Sequence, residues 1–443
     1  MKNNEAKVPT SRLSRLSKMG GLASRLAGNV LLEGAKQFSQ GKSPSMQQLM
    51  MTPQNIGHVA DKLSQLRGAA MKVGQMLSMD AGDLVPPELA EILAKLRSDA
   101  KAMPHKQLTQ LLVEHWGSDW IAPFAQFELR PFAAASIGQV HLAYLDTGEK
   151  LAIKIQYPGI RDSIDSDIDN VASLLKVSRL IPANVKLDTL LAEAKVQLHN
   201  EADYHFEAEQ VALYQQQLGD NPHFIVPKVY PKLSNNSILC MQFVEGVAIE
   251  SLTESSQAVR DQIATLLMEL CFKELFEFKL LQSDPNFANF QYQADTQKIV
   301  LFDFGATRTI SDTLSQGYLQ LMQGAIVDDK QQMTQAAQQI GFFQDAIDPQ
   351  QKQLIIDIFY QACEPLRFDG EYDFAQSSLA KRITQAGKAM STQQDEWHTP
   401  PTDAIFIHRK LAGMYLLAAK LKAKVNVAKL FSVYQTQIGK ENV

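Results

Sequence analysis

Four short groups of residues have types and spacings suited to phosphate chemistry. Leu151-Ala-Ile-Lys154 ends an apolar alternation in a lysine. An ammonium on a buried strand is costly unless it meets a carboxylate or a phosphate; the plainer alternative is a strand-edge lysine reaching water. Glu201-Ala-Asp203-Tyr-His-Phe-Glu207 reads as helical, with Asp203 and Glu207 four apart on one face and Glu201 turned away from them. Such carboxylates commonly form a solvated face, yet opposite Lys154 one of them can supply the ion pair that holds a lysine on nucleotide phosphates. Asp284-Pro-Asn-Phe-Ala-Asn289 and Asp303-Phe-Gly305 begin nineteen residues apart and flank a short apolar hairpin. An Asn carbonyl and an Asp carboxylate are hard oxygen donors of the kind magnesium takes beside phosphates. Asp-Phe-Gly alone arises by chance; preceded at this distance by Asp-x-x-x-x-Asn it is far less common.

These groups need elements to place them. Residues 45–120 have helical spacing, broken by Pro86-Pro87 and Pro104. Residues 125–157 change to short apolar runs with Gly138, Gly148 and Pro158-Gly159 between them, predicting three consecutive strands. A helical stretch is expected from Asp165 to Gln217, strand-like runs return over 224–243, and the last two hundred residues are predicted mainly helical, with one hairpin around 290–302. A small strand-rich lobe followed by a large helical one predicts a cleft, the usual place for a ligand. The expected division is a basic segment over 1–40, a helical extension over 41–120, a strand-rich lobe with inserted helices over 121–244 and a helical lobe over 245–443.

Composition narrows the function. The 443 residues carry 43 Lys and Arg against 48 Asp and Glu, a net charge of −5, and 45% are hydrophobic. That argues for a globular protein and against a nucleic-acid partner. Cys240, Cys271 and Cys363 lie far apart, which excludes a disulfide framework or a Cys-rich zinc module and suits a reducing, cytoplasmic setting. The longest apolar runs, 263–278 and 411–419, are respectively charged and too short to span a bilayer. Residues 1–40 hold seven basic against two acidic side chains, with Leu16, Met19, Ala23, Leu26 and Val30 three or four apart. A helix docking on the body, an anionic membrane surface and a transit peptide all fit that pattern.

In order, the set reads lysine on an early strand, glutamate on the next helix, Asp…Asn on a loop, then Asp-Phe-Gly. This is the protein-kinase arrangement of parts. The departures are equally definite. Where a kinase has a Gly-rich loop, Ala133, Ala134, Ala135 and Ser136 precede Ile-Gly-Gln139, a stiffer loop with less freedom to wrap a triphosphate. His-Arg-Asp is replaced by Gln282-Ser-Asp284, and no Ala-Pro-Glu follows Asp303. Ahead of the strand-rich lobe, Lys72-Val-Gly-Gln75 puts Lys72 and Gln75 on one helix face, with Ala69, Ala70 and Gly74 leaving room for close packing.

These motifs resemble the UbiB/AarF family of atypical kinase-like proteins, most of all its coenzyme-Q-biosynthesis subgroup. The family's KxGQ motif matches Lys72–Gln75, its alanine-rich loop Ala133–Ser136, its ExD motif Glu201 and Asp203, and its nucleotide lysine Lys154, with Glu207 where the partner should fall. Asp284, Asn289 and Asp303 fall on its catalytic and metal positions, and His408-Arg-Lys-Leu-Ala-Gly also reads like the subgroup. The resemblance implies an α+β, two-lobed protein-kinase-like fold with an N-terminal helical extension packed over the active-site cleft, regulatory Lys72 and Gln75 inside it and Lys72 near Glu201. It implies ATP and Mg²⁺ as cofactors, ATP hydrolysis or small-molecule phosphotransfer, and support of ubiquinone biosynthesis. Lipid-like quinone precursors at a membrane surface and ubiquinone-biosynthesis enzymes are the implied partners. The setting is peripheral to a membrane, on the matrix side of mitochondria for a eukaryotic source.

The expected roles follow. Lys154, held by Glu207, contacts phosphates; Asn289 and Asp303 hold magnesium; Asp284 stands where a kinase has its base and orients water or the metal. Met241, Gln242, Phe243 and Val244 form the hinge whose backbone faces adenine. The rival readings are a nucleotide-gated scaffold with little turnover and a kinase acting on other proteins.

Overall fold

In the computed structural model, residues 66–80, 102–178, 187–284, 286–343, 347–383 and 401–435 are described, with isolated positions 32, 36, 39, 63 and 385. The basic N-terminal segment therefore lies outside the described residues apart from Leu32, Lys36 and Ser39, which are helical and exposed. The chain divides into two compact units. The first comprises residues 1–209 and 228–243, the second 210–227 and 244–443.

The described part of the first unit opens with helix α1 (Arg67–Asp80) and α2 (His105–Trp116). Strands β1 (Phe124–Phe127), β2 (Ala133–Ala134), β3 (Gly138–Leu145) and β4 (Lys150–Gln156) follow, then α3 (Ile160–Ser178), α4 (Leu187–Glu201) and the start of α5 (Tyr204–Leu218). Beyond β5 (Phe224–Ile225), which belongs to the second unit, β6 (Ile238–Gln242) completes an antiparallel sheet ordered β1-β3-β4-β6, with β2 pairing β3. Leu151, Ile153 and Ile155 alternate onto one face of β4 and pack with Leu108, Leu111 and Leu112 of α2. The opposite face of the sheet meets a helical core in which Ala69, Ala70 and Val73 of α1 join Ile164 and Ile168 of α3 and Leu191, Ala194 and Leu198 of α4.

Two expectations change here. The run read as three strands holds four, because the alanine-rich segment itself forms the two-residue β2. The helical stretch expected over 165–217 is divided into three helices, the first beginning earlier, at Ile160. The break at 202–203 has a local cause. The Asp203 carboxylate accepts from the N–H groups of His205 and Phe206, each at 3.2 Å, and so caps α5. Glu201, Asp203 and Glu207 thus stand on two helices and the corner between them.

The second unit pairs β5 with β10 (Lys298–Leu301) in parallel; β10 pairs antiparallel with β9 (Phe290–Gln293), and β9 with β7 (Val247–Ala248). Helix α6 (Gln257–Lys273) starts on a Ser256 cap, buries Ile263, Leu267 and Leu270, and runs into a π-helical turn (Glu274–Phe278) that feeds β8 (Leu280–Gln282). β8 pairs with β11 (Thr307–Thr309). Helices α7 (Asp312–Ile326), α8 (Lys330–Ile340), α9 (Pro349–Ala362) and the one-turn α10 (Glu364–Arg367) follow. After them β12 (Tyr372–Asp373) pairs with β13 (Lys424–Val425), which lies between α11 (Thr402–Lys420) and α12 (Val427–Gln435). The hairpin at 290–302 is present, but it is not the only interruption: strands β7, β8, β11, β12 and β13 also break the helical run, each of two or three residues and too short to show a period. Among the described residues no helix is long and apolar enough to cross a membrane.

Candidate functional site

In the first unit Lys154 stands opposite Val140 of β3 and Leu239 of β6, so its backbone is fixed from both sides. The period of the strand turns its side chain away from Ile153 and Ile155, toward α5. There both carboxylate oxygens of Glu207 receive its ammonium, at 3.1 and 2.9 Å. Glu207 is 1% exposed and Lys154 15%, so the pair is largely withdrawn from water. The Tyr204 ring, one turn earlier on α5, lies 4.9 Å from the ammonium and adds its π face.

A second ion pair lies nearby in sequence. Lys72, buried on α1, donates to Glu201 at the end of α4, and the other oxygen of Glu201 accepts from the Ser136 hydroxyl at 3.0 Å. One carboxylate therefore ties α1 to the alanine-rich loop. Close approach makes this possible: a Cβ on Gly68 would come within 3.1 Å of the Ile137 side chain and 3.2 Å of the Ser136 carbonyl. Ala133 and Ala134 are exposed and pair with Val140 and Gln139, while Ala135 turns back onto the Gly138 carbonyl at 2.9 Å. Gln75 lies on α1, its side chain outside the described residues. Asp203 does not join Lys72; besides capping α5 it meets Arg161 at 3.2 Å on the surface.

The four expected hinge residues cross the division between units, which falls after Phe243. The N–H groups of Gln242 and Phe243 are already engaged inside the first unit, with Lys228 O at 2.7 Å and Lys150 O at 2.8 Å. The Phe243 ring meets Phe132 edge-on and the Lys150 ammonium at 4.0 Å.

In the second unit the backbone gathers Asp284, Asn289 and Asp303. Asn289 closes the turn after Asp284, its side-chain amide donating to the Asp284 carbonyl at 3.4 Å. Phe302 N donates to Asn289 O at 2.9 Å, which continues the β9–β10 ladder and brings Asp303 one residue beyond Asn289's partner. Ser283 binds the Ala306 carbonyl through both its N–H and its hydroxyl, pinning the Asp284 loop to the segment after Asp303. Asp303 itself has φ +58°, a left-handed conformation that Asp tolerates better than most side chains. Its carboxylate accepts from Gly305 N at 3.3 Å and its carbonyl from the Gln282 amide at 3.2 Å. Asn289 is buried and Asp303 half-buried, offering an amide and a carboxylate oxygen. Among the described residues no group of three or more His, Cys, Asp or Glu could hold a metal. A cation that keeps waters and takes phosphate oxygens, as magnesium does, fits such a sparse donor set; one needing a protein cage does not.

A buried network beneath these residues left little trace in the sequence. Lys410 of α11 and Glu274 of the π-helical turn form an ion pair at 2.9 Å, each 1% exposed. Burial pushes the Glu274 carboxyl up while Lys410 pulls it down. The signals are the run His408-Arg-Lys-Leu-Ala-Gly, which contains Lys410, and the place of that lysine three and four residues from the apolar Ile407, Phe406 and Met414. All three cysteines are free and buried, and burial pushes each thiol up to about 12, which disfavours the reactive thiolate.

Comparison with known proteins gives a consistent result. Residues 95–337 match the ABC1 atypical kinase-like domain. The atypical kinase COQ8, mitochondrial, of Saccharomyces cerevisiae is 36% identical over 96% of this chain and 85% of its own length. The rat atypical kinase COQ8B, mitochondrial, is also 36% identical, over 97% of this chain and 81% of its own. Among solved structures, Rv3197 of Mycobacterium tuberculosis, in complex with erythromycin, covers 83% of this chain and 92% of its own with a TM-score of 0.57. At 24% identity that likeness shows the fold alone.

Proposed function

This chain belongs to the ABC1 atypical kinase-like family, and from that premise we propose that it is an Mg²⁺-dependent ATPase or small-molecule phosphotransferase supporting ubiquinone biosynthesis. The observation that carries the reading is the bidentate Lys154–Glu207 pair, which fixes a largely desolvated ammonium while leaving part of it open to an anion. Bound ATP would supply the γ-phosphoryl group, and magnesium held at this site would supply positive charge to offset what develops as that group leaves. Lys154 contacts phosphate oxygens. Asn289 and Asp303 would hold the metal, and Asp284 would orient the attacking group. With the N–H groups of Gln242 and Phe243 already engaged, adenine is recognised by other groups of the 241–244 segment.

The protein acts beside lipid-like phenolic quinone precursors, and the basic amphipathic segment over 1–40 brings it to an anionic membrane surface. In a eukaryotic source that surface lies in mitochondria, as the names of the yeast and rat relatives suggest. The division into a basic segment, a helical extension and two lobes is part of the same proposal.

The test is thermal stabilisation by ATP with and without Mg²⁺, compared with Asp303→Asn. The variant should fold and lose the Mg²⁺-dependent component; an unchanged response would refute the assignment. A second reading, a nucleotide-gated scaffold with little turnover, draws on Glu201 tying α1 to the alanine-rich loop. Multiple-turnover hydrolysis with anionic liposomes and a phenolic quinone precursor separates the two.

A further inference from the structure

Asp303 occupies a backbone conformation that must be held. A non-glycine residue at φ +58° relaxes unless its surroundings over-determine it. Its carbonyl accepts from the Gln282 side-chain amide at 3.2 Å. Gln282 is buried and gripped twice by Lys410, whose ammonium donates to its backbone carbonyl at 3.0 Å and to its side-chain Oε1 at 3.3 Å. With Oε1 accepting from a lysine, the amide NH₂ is forced toward Asp303. Glu274 holds the lysine at 2.9 Å, and Tyr214 donates to the other Glu274 oxygen at 2.9 Å while its ring packs 4.7 Å from that of Phe304. These contacts link one series of groups: Tyr214 and Lys410 both donate to Glu274, Lys410 donates on to Gln282, and Gln282 donates to Asp303.

We propose that Lys410 is the positioning residue for Asp303, acting through the Gln282 amide, and that Glu274 and Tyr214 fix its ammonium for that purpose. The metal side of this inference rests on the reading of Asp303 as a magnesium ligand. Stability alone is a poor account of the pair, because burying a lysine and a glutamate is commonly no better than burying apolar groups of the same size. Apolar residues would fill the space but could not orient an amide.

Gln282→Met removes the relay and leaves Lys410, Glu274 and the bond to the backbone carbonyl in place. Lys410→Met combined with Glu274→Gln removes the grip without stranding a buried charge. Two quantities are measured on the full chain: hydrogen exchange of the 302–305 amides without nucleotide, and the Mg²⁺ concentration giving half-maximal stabilisation by ATP. Both variants should exchange those amides about tenfold faster and need about tenfold more Mg²⁺, with ATP affinity at saturating Mg²⁺ nearly unchanged. A folded Gln282→Met that matches the parent in both respects overturns the proposal. So does faster exchange with an unmoved Mg²⁺ requirement, given a parent that responds to Mg²⁺. If the parent's response to ATP ignores Mg²⁺, the metal reading of Asp303 fails, and the exchange arm alone decides whether Lys410 positions the turn.

Discussion

Removing Lys154 should cost more than removing its partner. In Lys154→Met the Glu207 carboxylate, 1% exposed, is left without its ammonium in a place water hardly reaches. Breaking a buried pair from one side costs about 3–5 kcal/mol. The 15% exposure of Lys154 admits some water, which places the loss near the lower end, about 3 kcal/mol. At roughly 2–4 °C per kcal/mol for a unit of this size, the melting temperature should fall by about 6–12 °C. Glu207→Leu leaves behind a lysine that can still swing toward solvent, so its cost should be about half as large. The combination Lys154→Met with Glu207→Leu buries no charge and should return to within about 1 kcal/mol of the parent. Stabilisation by ATP should be lost in all three proteins. Thermal unfolding of the four proteins, with and without ATP, completes the cycle. Equal, small losses in both single variants would mean an ordinary surface pair, and full ATP stabilisation in the double variant would remove Lys154 from the nucleotide.

Other perturbations test different elements. Gly68→Val should cost about 1–3 kcal/mol and loosen the bond between Ser136 and Glu201, because even a Cβ meets the Ser136 carbonyl at 3.2 Å; unchanged unfolding would deny the close approach of α1. Ala134→Gly should change the ratio of ATP to ADP affinity by freeing the exposed β2 turn, and equal ratios would show that loop stiffness is irrelevant. His408 and His141 are lowered to about 4 by burial, so both stay neutral when folded and take a proton when unfolded. Stability should therefore fall as pH drops from 6.5 toward 4, by about 2 kcal/mol per histidine at pH 5. His408→Phe should remove its share of that slope, at the expense of the 2.8 Å contact with the Tyr318 hydroxyl; a denaturant series at pH 7 and pH 5 reads the difference.

The legible parts of the molecule were those where a residue type has a strong local meaning. The alternation of Leu151, Ile153 and Ile155 announces a strand and so fixes the face of Lys154, and Asp303-Phe-Gly305 after an apolar run announces a strand ending in a carboxylate. The corner at Asp203 is hidden because three acidic residues in seven look like a helix surface, although Asp is among the strongest helix caps and Glu207 stands in the first turn of the next helix. Lys410 was illegible for another reason. Its partners Glu274 and Gln282 lie more than a hundred residues away, and a lysine within an apolar helical stripe gives no hint of what it meets. Short pairings such as β8 with β11 escaped because three residues cannot display a period.

Each unit carries its key residue on a withdrawn ion pair, and the two pairs do different work. Lys154 is presented: Glu207 accepts two of its hydrogen bonds while 15% of the lysine side chain stays accessible, so the cation can still meet an anion from outside. Lys410 is consumed: at 1% exposure its ammonium is divided among Glu274, the Gln282 carbonyl and the Gln282 side chain, and no incoming ligand reaches it. A charge that must bind phosphate gains from partial desolvation, which strengthens its field, whereas a charge that only sets geometry gains from complete enclosure, which removes its alternatives. The same substitution, lysine to methionine, should therefore separate the two. At Lys154 it abolishes the response to nucleotide whatever the magnesium concentration, and at Lys410, with Glu274→Gln alongside, it shifts the magnesium requirement and leaves binding at saturation intact. Nucleotide affinity lost at both positions regardless of magnesium would mean that the two pairs are not specialised, and that Lys410 supports the unit as a whole.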